Sequence, residues 1–397
     1  MNWKRKSEGN WGRLGMKYDE NSLYNIKSSV EGRRCCLFDL ATWKNGLAFK
    51  KINFAETGVP VIKIAELNNG IGGTTAYTEQ KFSEDVHLKK GDLLFSWSGN
   101  PQTSIDIFRF NLEEGWLNQH IFKVTPDENV VDGNYFYFLM KNLKSHFTQI
   151  ATNKQTTGLG HVTIADIKRM SVIIPSIDVQ RKIVSYIKPI DDKIVLNNEI
   201  NNNLEQQAQA IFDNMFPNTS SGDKFIGDFI TPKRGKNLLS KNAIFGDVPV
   251  VAGGLEPSTY HNVSNTQAPV LAISASGANA GYVSLWNTPI WSSDSSYIDS
   301  SMTNDVYFWY VLLKKRQTEI FDTQTGSAQP HIYPQHIATM PITNISNDDI
   351  STFTNTVTPI FERIGHNKAE NIRLSALRDT LLPKLMSGEL DVSDIDL

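Results

Sequence analysis

The stretch Ile187-Lys-Pro189-Ile190-Asp-Asp-Lys-Ile194-Val-Leu-Asn197-Asn-Glu-Ile-Asn201-Asn-Asn-Leu204 returns 170 positions later as Val357-Thr-Pro359-Ile360-Phe-Glu-Arg-Ile364-Gly-His-Asn367-Lys-Ala-Glu-Asn371-Ile-Arg-Leu374. From His161 to Met215, 11 of 55 pairs are identical to that second copy without a gap, so duplication is the explanation. The apolar positions fall three and four residues apart: Ile187, Ile190, Ile194, Leu204, Ala208, Ile211 and Met215, then Val357, Ile360, Ile364, Leu374, Leu381 and Leu385. Such spacing lines one face of a helix and, kept up for about four heptads, makes a coiled-coil seam. Asn197 and Asn201 sit at the seam positions that Asn367 and Asn371 occupy in the second copy, followed by Leu204 and Leu374. A buried Asn weakens a seam but sets its register, because slippage leaves its amide unpaired. The alternative is a wet stripe on an exposed face. Pro189 and Pro359 also match, so each helix either bends or begins at its proline. The helices span about 40 Å if they start at the prolines and about 60 Å if they start near Ser176 and Ser346.

Outward from this stretch the correspondence continues. Asp39-Leu-Ala-Thr42-Trp-Lys44-Asn-Gly46 matches Asp228-Phe-Ile-Thr231-Pro-Lys233-Arg-Gly235, and Val59-Pro60-Val61-Ile62 follows as Val248-Pro249-Val250-Val251. An apolar run into a tight turn comes next, Leu93-Leu-Phe-Ser96-Trp-Ser98-Gly99-Asn100 against Val270-Leu-Ala-Ile-Ser274-Ala-Ser276-Gly277, with Asn279 just beyond. Tyr135-Phe-Tyr-Phe-Leu-Met then matches Tyr307-Phe-Trp-Tyr-Val-Leu. Short β-branched and aromatic runs between Gly, Asn and Ser turns predict strands here. The fold class is therefore α+β: two globular α/β units joined by two long helices pairing as an antiparallel coiled coil, a pseudo-two-fold internal repeat. The expected boundaries are 1–175 for the first unit, with 1–33 unassigned, 176–217 for the central helix, 218–345 for the second unit, 346–390 for the C-terminal helix and 391–397 for an acidic tail. A single chain with approximate two-fold symmetry suits a partner with dyad symmetry, such as DNA half-sites about one helical turn apart.

Composition excludes several other classes. Hydrophobic residues are 40% and charged residues 20% of 397, with 26 Gly and 16 Pro, which rules out disordered, collagenous and disulfide-scaffold chains. No apolar run is long enough to span a membrane and the first 34 residues are polar and basic without an apolar core, so a cytoplasmic protein is expected. Adjacent Cys35 and Cys36 fit a reducing compartment and are expected to be small core residues. The net charge of −3 argues weakly against nucleic acid, but it is unevenly spread. Met1 to Lys51 carries +6 and the remainder −9, and Lys233-Arg234-Gly235-Lys236, with Lys241 beyond, forms a second basic knot. Such clusters form phosphate-binding footprints even on acidic chains, though solvated surface lysines read the same way.

Catalytic motifs are missing. Gly235-Lys236 lacks both the first Gly and the Ser/Thr of a phosphate-wrapping loop, and Asn100-Pro101 continues as Gln102-Thr103 rather than the Pro-aromatic pair of adenine methyltransferases. The eight histidines form no ligand cluster and the cysteines are not spaced to hold zinc, so no metal is expected. Asp191-Asp192-Lys193 imitates a nuclease carboxylate pair but lies in the predicted helix, where a solvated face is expected. His161 and His331 align without a partnered nucleophile; they read as caps or as hydrogen-bonding groups toward a base or phosphate. Three function classes remain: a DNA-reading scaffold or standalone DNA-binding protein, a surface or secreted repeat protein binding carbohydrate or peptide, and a standalone endonuclease.

The junction Ile174-Pro175-Ser-Ile177-Asp-Val-Gln180-Arg-Lys-Ile183, the helix end Asn203-Leu204-Glu205 through Ala208, Ile211, Phe212, Met215 and Phe216, and the tail Leu381-Leu-Pro383-Lys384-Leu385-Met-Ser387-Gly388-Glu389 resemble type I restriction-modification specificity subunits. The resemblance runs from about Arg34 over nearly the whole chain. It implies two target-recognition domains, each followed by a conserved helix, that read the halves of a bipartite, asymmetric site on double-stranded DNA. It also implies that the helices form an antiparallel spacer on which two modification (methyltransferase) subunits dock, accompanied by restriction/translocase subunits. The chain itself would be non-catalytic and carry no cofactor. S-adenosylmethionine, ATP and Mg would belong to the partners, with methylation at adenine N6. One departure is that Ile345-Ser-Asn-Asp-Asp-Ile350 replaces Pro175-Ser-Ile-Asp-Val-Gln180, which puts the conformation of the second junction in question.

Recognition of this kind divides into cations on phosphates and polar side chains on base edges. In the first unit Lys44, Lys50 and Lys51 are expected on phosphate, Ser98, Asn100, Gln102 and Thr103 near bases, and Thr156, Thr157 and His161 on a second loop. In the second, Lys233, Arg234 and Lys236 correspond, with Ser276, Asn279, Gln324, Gln329 and His331 near bases. The same residue types also favour turns and caps for local reasons.

Overall fold

The computed structural model describes residues 22–72, 74–155, 158–326 and 329–392. Thr156 and Thr157 lie outside the described residues, as do most of the acidic tail and much of the N-terminal segment. Strands β1 (Arg33–Cys36), β2 (Ala41–Asn45), β3 (Val59–Ile62), β4 (Tyr77–Thr78), β5 (His87–Lys89) and β6 (Leu93–Ser96) open the first repeat. They are followed by β7 (Ser98–Gly99), β8 (Asp106–Arg109), β9 (Glu114–Leu117), β10 (Ile121–Pro126), β11 (Gly160–His161) and β12 (Ser171–Ile174). Helices α1 (Ile64–Asn69), α2 (Gly133–Asn142), α3 (Lys144–Asn153) and α4 (Ile164–Arg169) lie among them, and α5 (Ile177–Met215) closes the repeat. The second repeat has β13 (Lys224–Phe225), β14 (Lys233–Arg234), β15 (Val248–Val251), β16 (Thr259–His261) and β17 (Val270–Ser274). It continues with β18 (Val283–Trp286), β19 (Trp291–Ser292), β20 (Ser295–Asp299), α6 (Val306–Lys315), α7 (Gln317–Asp322), α8 (Pro334–Ala338), β21 (Pro341–Ile342) and α9 (Asn347–Ser387).

Sheet topology repeats with the sequence. A four-stranded sheet ordered β2-β10-β6-β8 in the first repeat returns as β14-β20-β17-β18 in the second. The pair β1-β12 returns as β13-β21, and β4-β3-β9 as β16-β15-β19, with the first strand of each repeat's Val-Pro-Val motif running parallel to β9 or β19. Glycines recur where the backbone closes on itself. A Cβ on Gly235 would lie 2.5 Å from the Ser292 carbonyl oxygen, and one on Gly46 would collide with the Asn118 carbonyl.

The chain divides into two compact units, the first drawn from Met1–Asp192 and Leu374–Leu397, the second from Lys193–Arg373. Each long helix thus gives its N-terminal part to one unit and its C-terminal part to the other. In the first unit Trp43 is the hub of the core, meeting Phe95, Phe122 and Phe136 edge-on at centroid distances of 6.1, 6.2 and 6.2 Å. In the second, Phe212 and Phe216 of the α5 end pack on Phe308 of α6 and Phe353 of α9, with centroids 5.1 to 6.0 Å apart. Each large aromatic ring buries a large apolar area, and edge-on contacts add to it.

Both helices begin at the serines rather than the prolines, 39 and 41 residues long with Pro189 and Pro359 inside them. The backbone N–H of Val179 donates to Ser176 Oγ and that of Asp349 to Ser346 Oγ, a side-chain cap at the same place in each repeat. The altered second junction therefore keeps the helix start. Gln180, which accepts from the Asp132 N–H and donates to the Pro175 carbonyl in the first unit, is replaced by Ile350, buried in the apolar core of the second.

Asn197, Asn201 and Asn367 are buried rather than wet, and Asn371 is half-buried. In the second unit Asn367 Nδ2 donates to Asn201 Oδ1, and Asn197 Nδ2 to Asn371 Oδ1, both at 2.8 Å, so the helices run antiparallel there. Asn197 also donates to Glu370 Oε2, and Asn371 to Asn198 Oδ1. Leu204 is partly buried against the same core. In the first unit Asp191 pairs with Arg378 at 3.0 Å and is 15% exposed, which corrects the expectation of a solvated face: this carboxylate points at the opposite helix, whereas Asp192 stays in solvent and pairs with Lys188. No helix among the described residues is long and apolar enough to cross a membrane.

Candidate nucleic-acid interface

In each unit the central strand of the four-stranded sheet runs into a glycine turn that is met by a loop from near the start of the repeat's closing helices. In the first, β7 pairs antiparallel with β11, setting Ser98 opposite His161, and the Val162 N–H donates to the Trp97 carbonyl at 2.8 Å. In the second, a bridge sets Ser276 opposite His331, and the Ile332 N–H donates to the Ala275 carbonyl at 2.9 Å. Gly99 at φ 123° and Gly277 at φ 82° occupy the left-handed region that lets the turn close. Ser98 with His161, and Ser276 with His331, are thus brought together from distant parts of the chain.

A third segment completes each frame. The β2-β10 and β14-β20 ladders end beside the turn, with the Gly46 N–H on the Ile121 carbonyl and the Gly235 N–H on the Ser295 carbonyl. The Trp97 N–H donates to the His120 carbonyl and the Ala275 N–H to the Asp294 carbonyl, which makes His120 and Asp294 structural counterparts. On this common backbone the side chains differ. In the first unit Trp97 Nε1 donates to Asn45 Oδ1 at 3.0 Å and the Trp97 ring packs on His120, centroids 5.3 Å apart. In the second, Arg234 pairs with Asp294 at 2.5 Å, and Asp294 also accepts from the Ser276 hydroxyl. Arg234, Asn237, Ser276, Ser293, Asp294, His331 and Tyr333 surround a cavity of about 440 Å³. Tyr333 stacks on the His331 ring at 6.0 Å. The arrangement offers donors, an acceptor and an exposed aromatic face within one concave site.

Other candidate residues serve the frame itself. Asn100 Oδ1 accepts the N–H groups of Gln102 and Thr103, closing its own turn, while both of those side chains are exposed. Gln102 borders a different cavity of the first unit, about 780 Å³ and lined also by Lys141, Lys144 and Arg378. Gln324 Nε2 donates to the Ala280 carbonyl and Asn279 Nδ2 to that of Gly253. Gln329 is exposed. Among the cations, Lys44 is paired with Asp85, whereas Lys50, Lys51, Lys233 and Lys236 are exposed and have no ion pair among the described residues.

Asn45, Trp97, His120, Asp294 and Tyr333 were not singled out in the sequence. Asn45 was within reach, because it faces Arg234 inside the otherwise matching Lys-x-Gly of the repeat. His120 and Asp294 carry no local signal, since only the strand pairing places them beside the turn.

Residues 34–206 match the family model described as the type I restriction modification DNA specificity domain. The chain is 24% identical over 405 aligned positions to the type I restriction enzyme HindI specificity subunit of Haemophilus influenzae, covering 76% of this chain and 87% of that protein. It is also 24% identical over 321 positions to the type I restriction enzyme MjaIX specificity subunit of Methanocaldococcus jannaschii, covering 70% and 73%. The crystal structure of the type-I restriction-modification system S subunit from M. genitalium shares its fold, with a TM-score of 0.52 at 16% identity over 91% of this chain and 99% of that one.

Proposed function

We infer, for a chain that belongs to the type I restriction-modification specificity subunits, that each of its two units reads one half of a bipartite, asymmetric DNA sequence. The observation that carries this reading is the duplicated frame with unlike contents: Ser98 and His161 beside Asn45 and His120 in one unit, Ser276 and His331 beside Arg234 and Asp294 in the other. Equal backbones present both units to DNA in the same way, while unequal donors and acceptors select different bases. Arg234 suits the paired acceptors of guanine, and Asp294 accepts from an exocyclic amine; Asn45 suits adenine. The exposed lysines Lys50, Lys51, Lys233 and Lys236 hold phosphates and contribute affinity without sequence preference.

In this reading the chain does no chemistry itself. The helix pair acts as the spacer between half-sites, its register held by Asn201 with Asn367 and Asn197 with Asn371. Modification subunits docked on it supply S-adenosylmethionine and methylate adenine, and ATP- and Mg-dependent restriction subunits join them.

The test is sequencing of methylated bases in DNA from cells that express the chain with its modification subunits, with and without exchange of residues 218–345 for the same unit of a relative. One half of the methylated sequence should change and the other persist. A change in both halves, or methylation without sequence preference, rejects the modular reading.

A further inference from the structure

Each unit exposes an apolar tip on the loop that leaves the reading frame; the two loops correspond in the repeat, while the tips sit at different positions along them, Ile52 aligning with Lys241 and Phe245 with Glu56. In the first unit the loop runs from Asn45 to β3 and carries Ile52, 82% exposed, on a single turn of 3-10 helix at Lys51–Asn53. In the second it runs from Arg234 to β15, with the matching turn at Ser240–Asn242, and exposes Leu239, Ile244 and Phe245, the last by 95%. Lone exposed apolar side chains are ordinary, but three on one loop, with an exposed Ile on the corresponding loop of the other unit, are not.

Neither tip is slack. Asn53 Oδ1 accepts the Lys50 N–H, and its amide donates to Gln80. Behind the tip Phe49 packs on Phe82 at 5.0 Å. In the second unit the Ile244 N–H donates to the buried ring of His261, and a Cβ on Gly246 would collide with Asn262. Bracing from beneath keeps these side chains pointed into solvent, where exposure costs free energy unless something covers them.

The surrounding charge identifies the occupant. Residues 44–56 carry Lys44, Lys50 and Lys51 against Glu56, and residues 233–247 carry Lys233, Arg234, Lys236 and Lys241 against Asp247. Lys50, Lys51, Lys233, Lys236 and Lys241 have no ion pair among the described residues, Lys44 and Arg234 being those engaged. An apolar point on a loop whose lysines are exposed and unpaired fits a polyanion with an apolar interior, which is stacked base pairs behind phosphates. Resting on the DNA-reading function above, we propose that Ile52 and Phe245 are wedges that enter a base step in their respective half-sites and bend the duplex while the adjoining lysines clamp its backbone. Such bending adds sequence preference at steps no side chain reads directly, because pyrimidine-purine steps unstack most easily.

The experiment measures end-to-end energy transfer in a doubly labelled duplex bearing the sequence that the complex methylates, bound by the full chain with its modification subunits. Phe245→Ala should reduce the bend and weaken binding about tenfold, with Phe245→Trp retaining both, and Ile52→Ala should reduce the bend contributed by the other half-site. At 95% exposure, replacing Phe245 removes nothing from the core. Wild-type bend and affinity in Phe245→Ala and Ile52→Ala overturn the proposal. So does loss of assembly with the modification subunits in the absence of DNA, which would make the tips protein-docking points. If the unaltered complex shows no preference for the methylated sequence over a scrambled one, it is the DNA-reading function that fails, and the wedge with it.

Discussion

Asn367 donates its side-chain amide to Asn201 Oδ1 across the helix pair at 2.8 Å, and the two side chains are 2% and 6% exposed. Each satisfies a group that water cannot reach. Replacing Asn201 alone with Leu strands the Asn367 amide and should lower stability by about 1–3 kcal/mol. Replacing both with Leu removes donor and acceptor together and should leave stability unchanged or raised, at the expense of register. Urea denaturation of the two variants distinguishes these outcomes; equal losses in both would mean that the amides bond elsewhere.

The paired glycines Gly46 and Gly235 offer a second test. An added methyl has no room beside the Asn118 or Ser292 carbonyl, so Gly46→Ala and Gly235→Ala should each cost about 1–3 kcal/mol. Gly72→Ala, with nothing within 4 Å of its Cβ, is the control and should be silent. Thermal melts report the size of the loss, and limited proteolysis reports which unit has loosened.

Asp294 and Arg234 form one ion pair inside the second frame, and the first frame has Asn45 and His120 instead. Asp294→Asn and Arg234→Ala should therefore relax or change the bases methylated in one half-site only. A lost base contact is worth about 1–3 kcal/mol of discrimination. Sequencing of methylated sites would show the change; alteration in both halves would place this pair outside the reading surface.

Burial pushes the Cys35 thiol up to about 12 and raises that of Cys36 as well. The thiolate is the reactive form, so at pH 8 both remain protonated. Iodoacetamide should leave the folded chain unlabelled and modify both cysteines in urea. The sequence leads to the expectation of small core residues, and the structure places both half-buried in β1, Cys35 packed against the core; fast labelling of the folded chain would mean that β1 opens to the reagent.

The repeat, the helices and their seam were legible because they are periodic and local: Ile187 to Met215 declares a helix without reference to anything distant. The serine starts at Ser176 and Ser346 decided between the two helix lengths, and they too were visible in the sequence. Asp191 was misplaced because the helix alone does not say which neighbours face Arg378, and the pair only forms when the second helix arrives. Asn100, Asn279 and Gln324 have the composition of base-reading residues, yet their side chains are engaged by backbone: Asn100 within its own turn, Asn279 on the Gly253 carbonyl and Gln324 on the Ala280 carbonyl.

By itself the sequence determined that this protein is one design written twice, with two helices whose Asn layers match in register and with no catalytic motif. Those properties live in residue spacing, which helix periodicity converts directly into a face. Only the tertiary structure decided which side chains share the reading frame. Ser98 meets His161 across more than sixty residues of chain, and Asp294 meets Arg234 across sixty, through strand pairings that no local pattern encodes. It also showed that equal frames hold unequal groups, since a sheet sets positions through its backbone and leaves the side chains on it free to differ.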